Sequence, residues 1–311
     1  MSNIEKRKTG GVMRTGFSWD SRAAGIACGL ASALIWGAFP VVTRLGLSRT
    51  ALDAWDVTVI RYTVSGLILL PLLWRQGRQG VGWGAAALMV CGIGAPYMLV
   101  VALGLARAPV EQFAVVTPSS MIVFAAALSA LWLGLWLTRR QGVGMALILA
   151  GVALAGWRAL GAASRAELGA WALFLTGGAL WAVYTVVSRR HAASALHATA
   201  LVSVGSMALC LPPYLAWRGA RLWQLPLADV LVQALYQGVM VSVLALFFFS
   251  QAVRVLGPAV GALFAALVPL AATLLAAWQL GEQPRALAWA GLALTTAGMA
   301  LALWPGRGKA G

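Results

Sequence analysis

Three of the charged side chains that lie in or beside long apolar runs of this sequence belong to types that bind more readily than they react. Arg61 stands in VIRYTVSGLILLPL, Glu111 follows Pro109 at the head of another run, and Glu282 follows Leu280-Gly281 at the end of a third. Hydroxyl and amide groups accompany them in otherwise greasy surroundings: Tyr97, Thr117-Pro118-Ser119-Ser120, Tyr184, Tyr236, Gln237, Ser242 and Gln251. Bond-making chemistry needs a nucleophile beside a base, a metal cluster or an acid/base pair. None of these is present. Cys28, Cys91 and Cys210 are scattered through apolar stretches and make neither a disulfide framework nor a metal set. The two histidines, His191 and His197, fall in or beside a polar link and read as solvated. No metal and no cofactor is expected, and the chain does not read as an enzyme. What remains is recognition, with aromatic faces for an apolar body and hydroxyl or amide tips for polar ends.

A repeated phrase sharpens this. WGAFPVVTR (Trp36 to Arg44) returns as WAVYTVVSR (Trp181 to Arg189), with the tryptophan, two valines and the arginine at the same spacing. Both tryptophans lie well inside their runs. The interfacial anchoring that accounts for Trp19, Trp55, Trp74, Trp83, Trp157, Trp217 and Trp304 therefore does not account for them. They either pack or line a cavity.

The elements that hold these residues are set by composition. The chain has 311 residues, 61% hydrophobic and only 10% charged, with a mean hydropathy of +0.85. A soluble surface needs about a quarter of its residues charged. About 20 apolar residues cross a bilayer as helix, which predicts ten spans: Ala23–Leu45, Ala54–Leu73, Gly82–Ala106, Val110–Leu133, Gly142–Trp157, Leu168–Ser188, Ala195–Trp217, Val230–Val253, Ala259–Leu280 and Ala286–Leu303. The runs are continuously apolar, which excludes barrel strands of period two. Ala31-Ser32-Ala33 resembles a signal cleavage site, but the apolar run continues through it, so the segment reads as a retained first helix.

Glycines and prolines show the larger plan. Gly134, Gly144 and Gly151 recur as Gly281, Gly291 and Gly298, each displaced by 147 residues. Pro118 finds Pro269, and Pro71 finds Pro212. The expected fold is all-α integral membrane, ten transmembrane helices as two inverted five-helix repeats, since an odd number of spans per copy reverses orientation. Residues 23–160 form the first repeat and 167–304 the second, between a basic tail (1–22) and a short tail (305–311). Secondary transporters are built this way, with a site near the midplane between the repeats. The expected cavity takes Trp36, Pro40, Tyr97, Thr117, Pro118, Ser119, Trp181, Tyr184, Tyr236, Gln237 and Pro269.

The charged residues admit several roles. Arg61 lies roughly 10 Å into its helix at 1.5 Å per residue. It snorkels to the outer interface, pairs with Asp53 or Asp56, or binds substrate. Glu111 suits a helix first turn by its charge. Glu282 has Arg285 three residues on, and either pairs with it on the surface or gates the cavity mouth. With both termini inside, fourteen lysines and arginines fall on the cytoplasmic side and eight outside, a bias carried by the tails. The net charge of +15 is then topology and lipid contact, with no soluble face for nucleic acid.

These residues also carry a resemblance. The chain resembles the drug/metabolite transporter superfamily, and within it the EamA family, from Ala23 to Leu303. The features are the tryptophan-bearing first and sixth spans, Arg61 early in the second, the proline of the fourth and ninth, and the Gly-Glu that ends the ninth in LGEQPRALAWAGLALTTAG. The first copy departs from the pattern, since LGLWLTRRQGVGMALILAG places Leu135 where a glutamate usually stands. The resemblance implies a multi-pass protein of the bacterial inner membrane with both termini cytoplasmic, exporting a small metabolite. A neutral or zwitterionic amino acid is the first expectation. Multidrug efflux is the alternative, and a non-transporting membrane receptor or assembly factor is the competing class. Either a monomer or a homodimer satisfies the sequence.

Overall fold

A computed structural model describes residues 19–134, 136–162, 165–192 and 194–303, with the side chains of 133, 156–162, 258–259 and 262 set aside. Leu135, most of the basic tail and Trp304 lie outside the described residues. Among the described residues every element is helical: α1 (Arg22–Arg49), α2 (Ala54–Gln76), α3 (Trp83–Ile93), α4 (Ala95–Leu105), α5 (Val110–Leu133), α6 (Arg139–Ala162), α7 (Arg165–His191), α8 (Ala195–Arg218), α9 (Leu227–Gln233), α10 (Ala245–Leu256), α11 (Pro258–Leu280) and α12 (Ala286–Leu303). A single 3₁₀ turn covers Arg221–Gln224, and a π-helical stretch, Ala234–Leu244, joins α9 to α10. Nine of the resulting rods are long and apolar enough to cross a membrane, counting α3 with α4 and α9 with α10. The 24-residue α6 is a further long rod.

Helix ends follow local chemistry. Asp53 caps α2 by accepting from the Trp55 and Asp56 N–H groups, while Asp56 accepts from the Asp53 N–H in return. Ser194 caps α8 at the His197 N–H. Gly134 and Gly281, a repeat pair, end α5 and α11 in the same left-handed conformation (φ 65° and 68°). Both positions therefore need a residue without a Cβ penalty.

The halves exchange contacts in a matched way. The α2 rod packs on α8, and α6 on α12. Meanwhile α1 packs on α10 and α11, as α7 packs on α3, α4 and α5. The α6–α12 contact is made by the repeat glycines. A Cβ on Gly144 would lie 2.8 Å from the Gly298 oxygen, and one on Gly151 2.6 Å from the Gly291 oxygen. The first glycine of one helix meets the second of the other, so the two helices run antiparallel with backbones touching.

That contact makes a prediction. Gly151→Ala should lower thermal stability by about 1–3 kcal/mol through overpacking. Gly84→Ala and Gly142→Ala face open space and should be neutral or slightly stabilising. Melting of detergent-solubilised protein, followed by loss of the monodisperse chromatographic peak, checks the contrast.

Candidate functional site

Two of the rods are interrupted, the one made of α3 and α4 and the one made of α9 and α10, third and eighth in chain order. The third breaks at Gly94, where a Cβ would lie 2.1 Å from Ser206 Oγ. Pro96 removes one backbone donor there, and the freed Ala95 N–H donates to Ser206 Oγ at 3.0 Å. A side chain of α8 thus satisfies the break. In the eighth rod, Ser242 Oγ donates to the Gln237 carbonyl, five residues back, at 2.9 Å. The wider π turns redirect side chains there.

The end of α9 and the π stretch after it are tied to α1. Tyr236 OH donates to the Ile35 carbonyl (2.8 Å), Gln233 Nε2 to the Val42 carbonyl (2.9 Å) and Gln237 Nε2 to Thr43 Oγ1 (2.9 Å). Pro40 lies in the same segment, buried, and as a proline offers no N–H to the carbonyl four residues back, that of Trp36. Gln233 and Gln237 are both fully enclosed, at 2% and 0% exposure. This pair one turn apart is a signal the sequence held and the sequence reading left half used.

The repeated tryptophans occupy matched settings. Trp36 of α1 rests on Phe249 of α10 (centroids 5.2 Å apart), and Trp181 of α7 meets Tyr97 of α4 edge-on (5.8 Å). Each packs against the irregular rod of its own pairing. Tyr184 backs onto Gly92 of α3. Thr117 Oγ1 donates to the Phe174 carbonyl at 3.1 Å, linking α5 to α7 just before Pro118, while the Ser119 hydroxyl is buried without a partner. Pro269 of α11 accepts from Thr273 Oγ1 at 3.0 Å. Phe39 of the repeated phrase joins Phe113 and Phe174, which the sequence does not mark out, in an edge-to-face chain at 6.0 and 5.7 Å between the tryptophan regions. Tyr97, Ser119 and Gln237 are all buried, so the centre is closed in this conformation. Two recesses of about 360 Å³ lie elsewhere, one beside Trp132, Arg190 and His191, the other beside Trp55, Cys210 and Trp217.

The charged residues correct several expectations. Arg61 does not pair with Asp53 or Asp56. It contacts Gln237 Oε1 (3.4 Å) and Met98 Sδ (3.8 Å), with its guanidinium 5.1 Å from the Phe39 ring centre and 5.4 Å from that of Tyr62. Asp56 instead meets Arg221, Arg218 and the Tyr214 hydroxyl, and Asp53 meets Arg218. Glu282 does not pair with Arg285. Its carboxylate takes Arg44 Nε at 3.1 Å and the Val110 N–H at 2.9 and 3.1 Å, which caps α5 from the opposite half. Burial pushes the Glu282 carboxyl above the usual carboxylate range, against the opposing pull of the Val110 N–H, Arg44 and the Glu111 N–H. Arg44 also donates to the Leu105 and Ala108 carbonyls at the end of α4. Glu111 sits in the first turn of α5 with Oε2 buried and unpartnered, close to Glu282 and Arg285. His197 is not solvated. Ser194 starts α8 early enough to place it in the first turn, 1% exposed, with Nε2 3.0 Å from the Gly77 carbonyl at the end of α2. His191 is exposed, as read.

The family model of the EamA-like transporter family matches the chain twice, over residues 23–157 and 169–304. A solved structure described as "Crystal structure of protein" is similar at 22% identity and a TM-score of 0.61, over 91% of this chain and 97% of that one. This likeness speaks for the fold alone. No curated protein matches the sequence.

Proposed function

The chain belongs to the EamA-like transporter family, and from that premise we propose that it is a secondary transporter of the bacterial inner membrane that exports a small metabolite by alternating access. The matched interruption of the third and eighth rods carries this reading. Non-helical or π-helical backbone at membrane depth persists only where protein or a water-lined path satisfies it. Discontinuous helices in corresponding halves mark a transporter's site. Here each interruption adjoins residues of the expected cavity, Tyr97 in one rod and Tyr236 and Gln237 in the other. Ten spans in two inverted repeats, 23–160 and 167–304, are supported by the exchanged helix pairings and the antiparallel α6–α12 contact.

In this mechanism the halves rock about the midplane, and the closed centre corresponds to an occluded state. Trp36 and Trp181 flank the path, each held by its aromatic partner. Prolines 40, 118 and 269 leave carbonyls without helix donors along it, and Thr117 and Ser119 add hydroxyls. Arg44 and Glu282 join the halves at one face. The proposed substrate is a neutral or zwitterionic amino acid or a close relative. Liposomes loaded with labelled amino acids should release one or more of them faster than protein-free liposomes. Equal leakage for the whole set would reject amino-acid transport.

The orientation proposed has both termini cytoplasmic. A reporter fused after Gly311 should give a cytoplasmic signal, and a periplasmic signal would break the even-span arrangement.

A further inference from the structure

We propose that Arg61 is the anion-binding residue of the central site, where its guanidinium receives the carboxylate of the solute. The proposal rests on the transport reading and narrows its substrate to molecules bearing a carboxylate. A cation within a membrane helix needs a partner, and its insertion is costly without one. Four other arginines have carboxylate partners: Arg44 has Glu282, Arg218 has Asp53, Arg221 has Asp56 and Arg254 has Asp20. Among the described residues no carboxylate reaches Arg61.

Its surroundings are soft and uncharged: two aromatic rings, a thioether and one amide oxygen. That amide is not free to do more, because its nitrogen is held by Thr43 and Gln233. Nε of Arg61 is buried with no acceptor at all. Snorkelling is not what the side chain does, since its contacts lie on α1, α4 and the π stretch, toward the bundle centre. It is nevertheless only half-buried, unlike its neighbours Met98 and Gln237, both at 0% exposure. A half-buried guanidinium whose Nε has no acceptor, and which no anion meets, is complementary to a planar carboxylate, which a guanidinium binds through paired donors once the centre opens. The rings of Phe39 and Tyr62 alongside suit an apolar or cationic remainder of the same molecule. One guanidinium favours a monocarboxylate, and organic cations and uncharged drugs are disfavoured.

Phenylglyoxal, which modifies accessible arginine, tests this without depending on flux. Purified protein in detergent is labelled at constant ionic strength, and the Arg61 peptide is quantified by mass spectrometry. The proteinogenic amino acids and straight-chain monocarboxylates are compared with their amides and their decarboxylated amines. At ten times its Kd, a bound carboxylate should slow Arg61 labelling about tenfold, while the matching amide and amine leave it unchanged. In thermal-shift titrations with the protecting acid, Arg61→Gln should weaken binding about 10- to 100-fold. Arg61→Lys should weaken it less, since it keeps the charge and loses the fork. The proposal is overturned if Arg61 is unreactive in ligand-free protein, if no carboxylate protects it, if amides protect as well as acids, or if chloride or phosphate alone protects it equally. Liposome flux of the same compounds separates the two claims. Protection without flux would retain the anion site and reject transport, whereas flux unaltered in Arg61→Gln would retain transport and reject the anion site.

Discussion

Asp56→Ala should destabilise the chain strongly, costing about 3 kcal/mol, the low end of the range for breaking a buried ion pair. The carboxylate is 0% exposed and does four things at once. It accepts from Arg221 Nε at 3.2 Å, lies 3.9 Å from Arg218, accepts the Tyr214 hydroxyl at 2.5 Å, and closes the capping box on the Asp53 N–H at 2.9 Å. Its loss would strand a buried hydroxyl and take the acid from two arginines. The low end applies because those arginines are 33% and 19% exposed and can turn toward water. Asp56→Asn keeps an acceptor for Tyr214 and for the cap, so it should cost less. Asp53→Ala removes an N-cap that is 38% exposed and should cost about 1 kcal/mol. Melting temperatures in detergent should rise in the order Asp56→Ala, Asp56→Asn, Asp53→Ala. If Asp56→Ala melts no earlier than Asp53→Ala, the cluster does not anchor α2 to α8.

Why Asp56 and Arg61 part company is a matter of helix geometry. Five residues turn an α-helix by about 500°, so the two side chains point about 140° apart. Asp56 faces α8 while Arg61 faces the centre, and nearness in sequence misled. The true partners, Arg218 and Arg221, lie more than 160 residues away, at a distance no local pattern reports. Glu282 and Arg285 fail for a different reason. A pair at i and i+3 meets only within a helix, and residues 281–285 are not helical once Gly281 has ended α11. His197 was readable: the expected span already began at Ala195, and Ser194 as its N-cap places His197 in the first turn, where the side chain can be buried against a neighbouring helix end. The apolar rods, the recurrence of the α6 glycines in α12 and the matched Trp36 and Trp181 were legible because length and repetition are written directly in residues, whereas the contact those glycines make with one another was seen only in the structure. The π stretch was not, since nothing in ALYQGVMVSVL distinguishes five-residue from four-residue hydrogen bonding. Phe39, Phe113 and Phe174 pass as ordinary core residues until their rings are seen in contact.

Glu282→Leu should also destabilise strongly, because one carboxylate there serves two elements from the other half of the chain. It neutralises Arg44, at 25% and 13% exposure for the two side chains, and it supplies the acceptor that the first turn of α5 lacks, since Pro109 caps nothing with its own side chain. Removing both contacts should cost about 2–3 kcal/mol, discounted from the fully buried case for the residual exposure. Glu282→Gln keeps an acceptor for the Val110 N–H and loses only the charge, so it should cost about half as much. Arg44→Leu leaves that cap intact while releasing the Leu105 and Ala108 carbonyls. Glu282→Leu and Arg44→Leu share one contact, and the double variant should therefore be more stable than the sum of the two losses predicts, by 0.5 kcal/mol or more on the ordinary scale of coupled pairs. The same network joins the end of α1, the end of α4 and the start of α5 to the segment after α11, which makes it a tie between the halves at that face, beside the bond from Arg49 Nη2 to the Gln279 carbonyl. A cysteine placed at Ala108, now 0% exposed, should react slowly with a membrane-impermeant thiol reagent in the parent and several times faster in Glu282→Leu. Additive losses, together with unchanged labelling of the Ala108→Cys thiol, would mean that Arg44 and Glu282 each serve their own half and hold nothing shut.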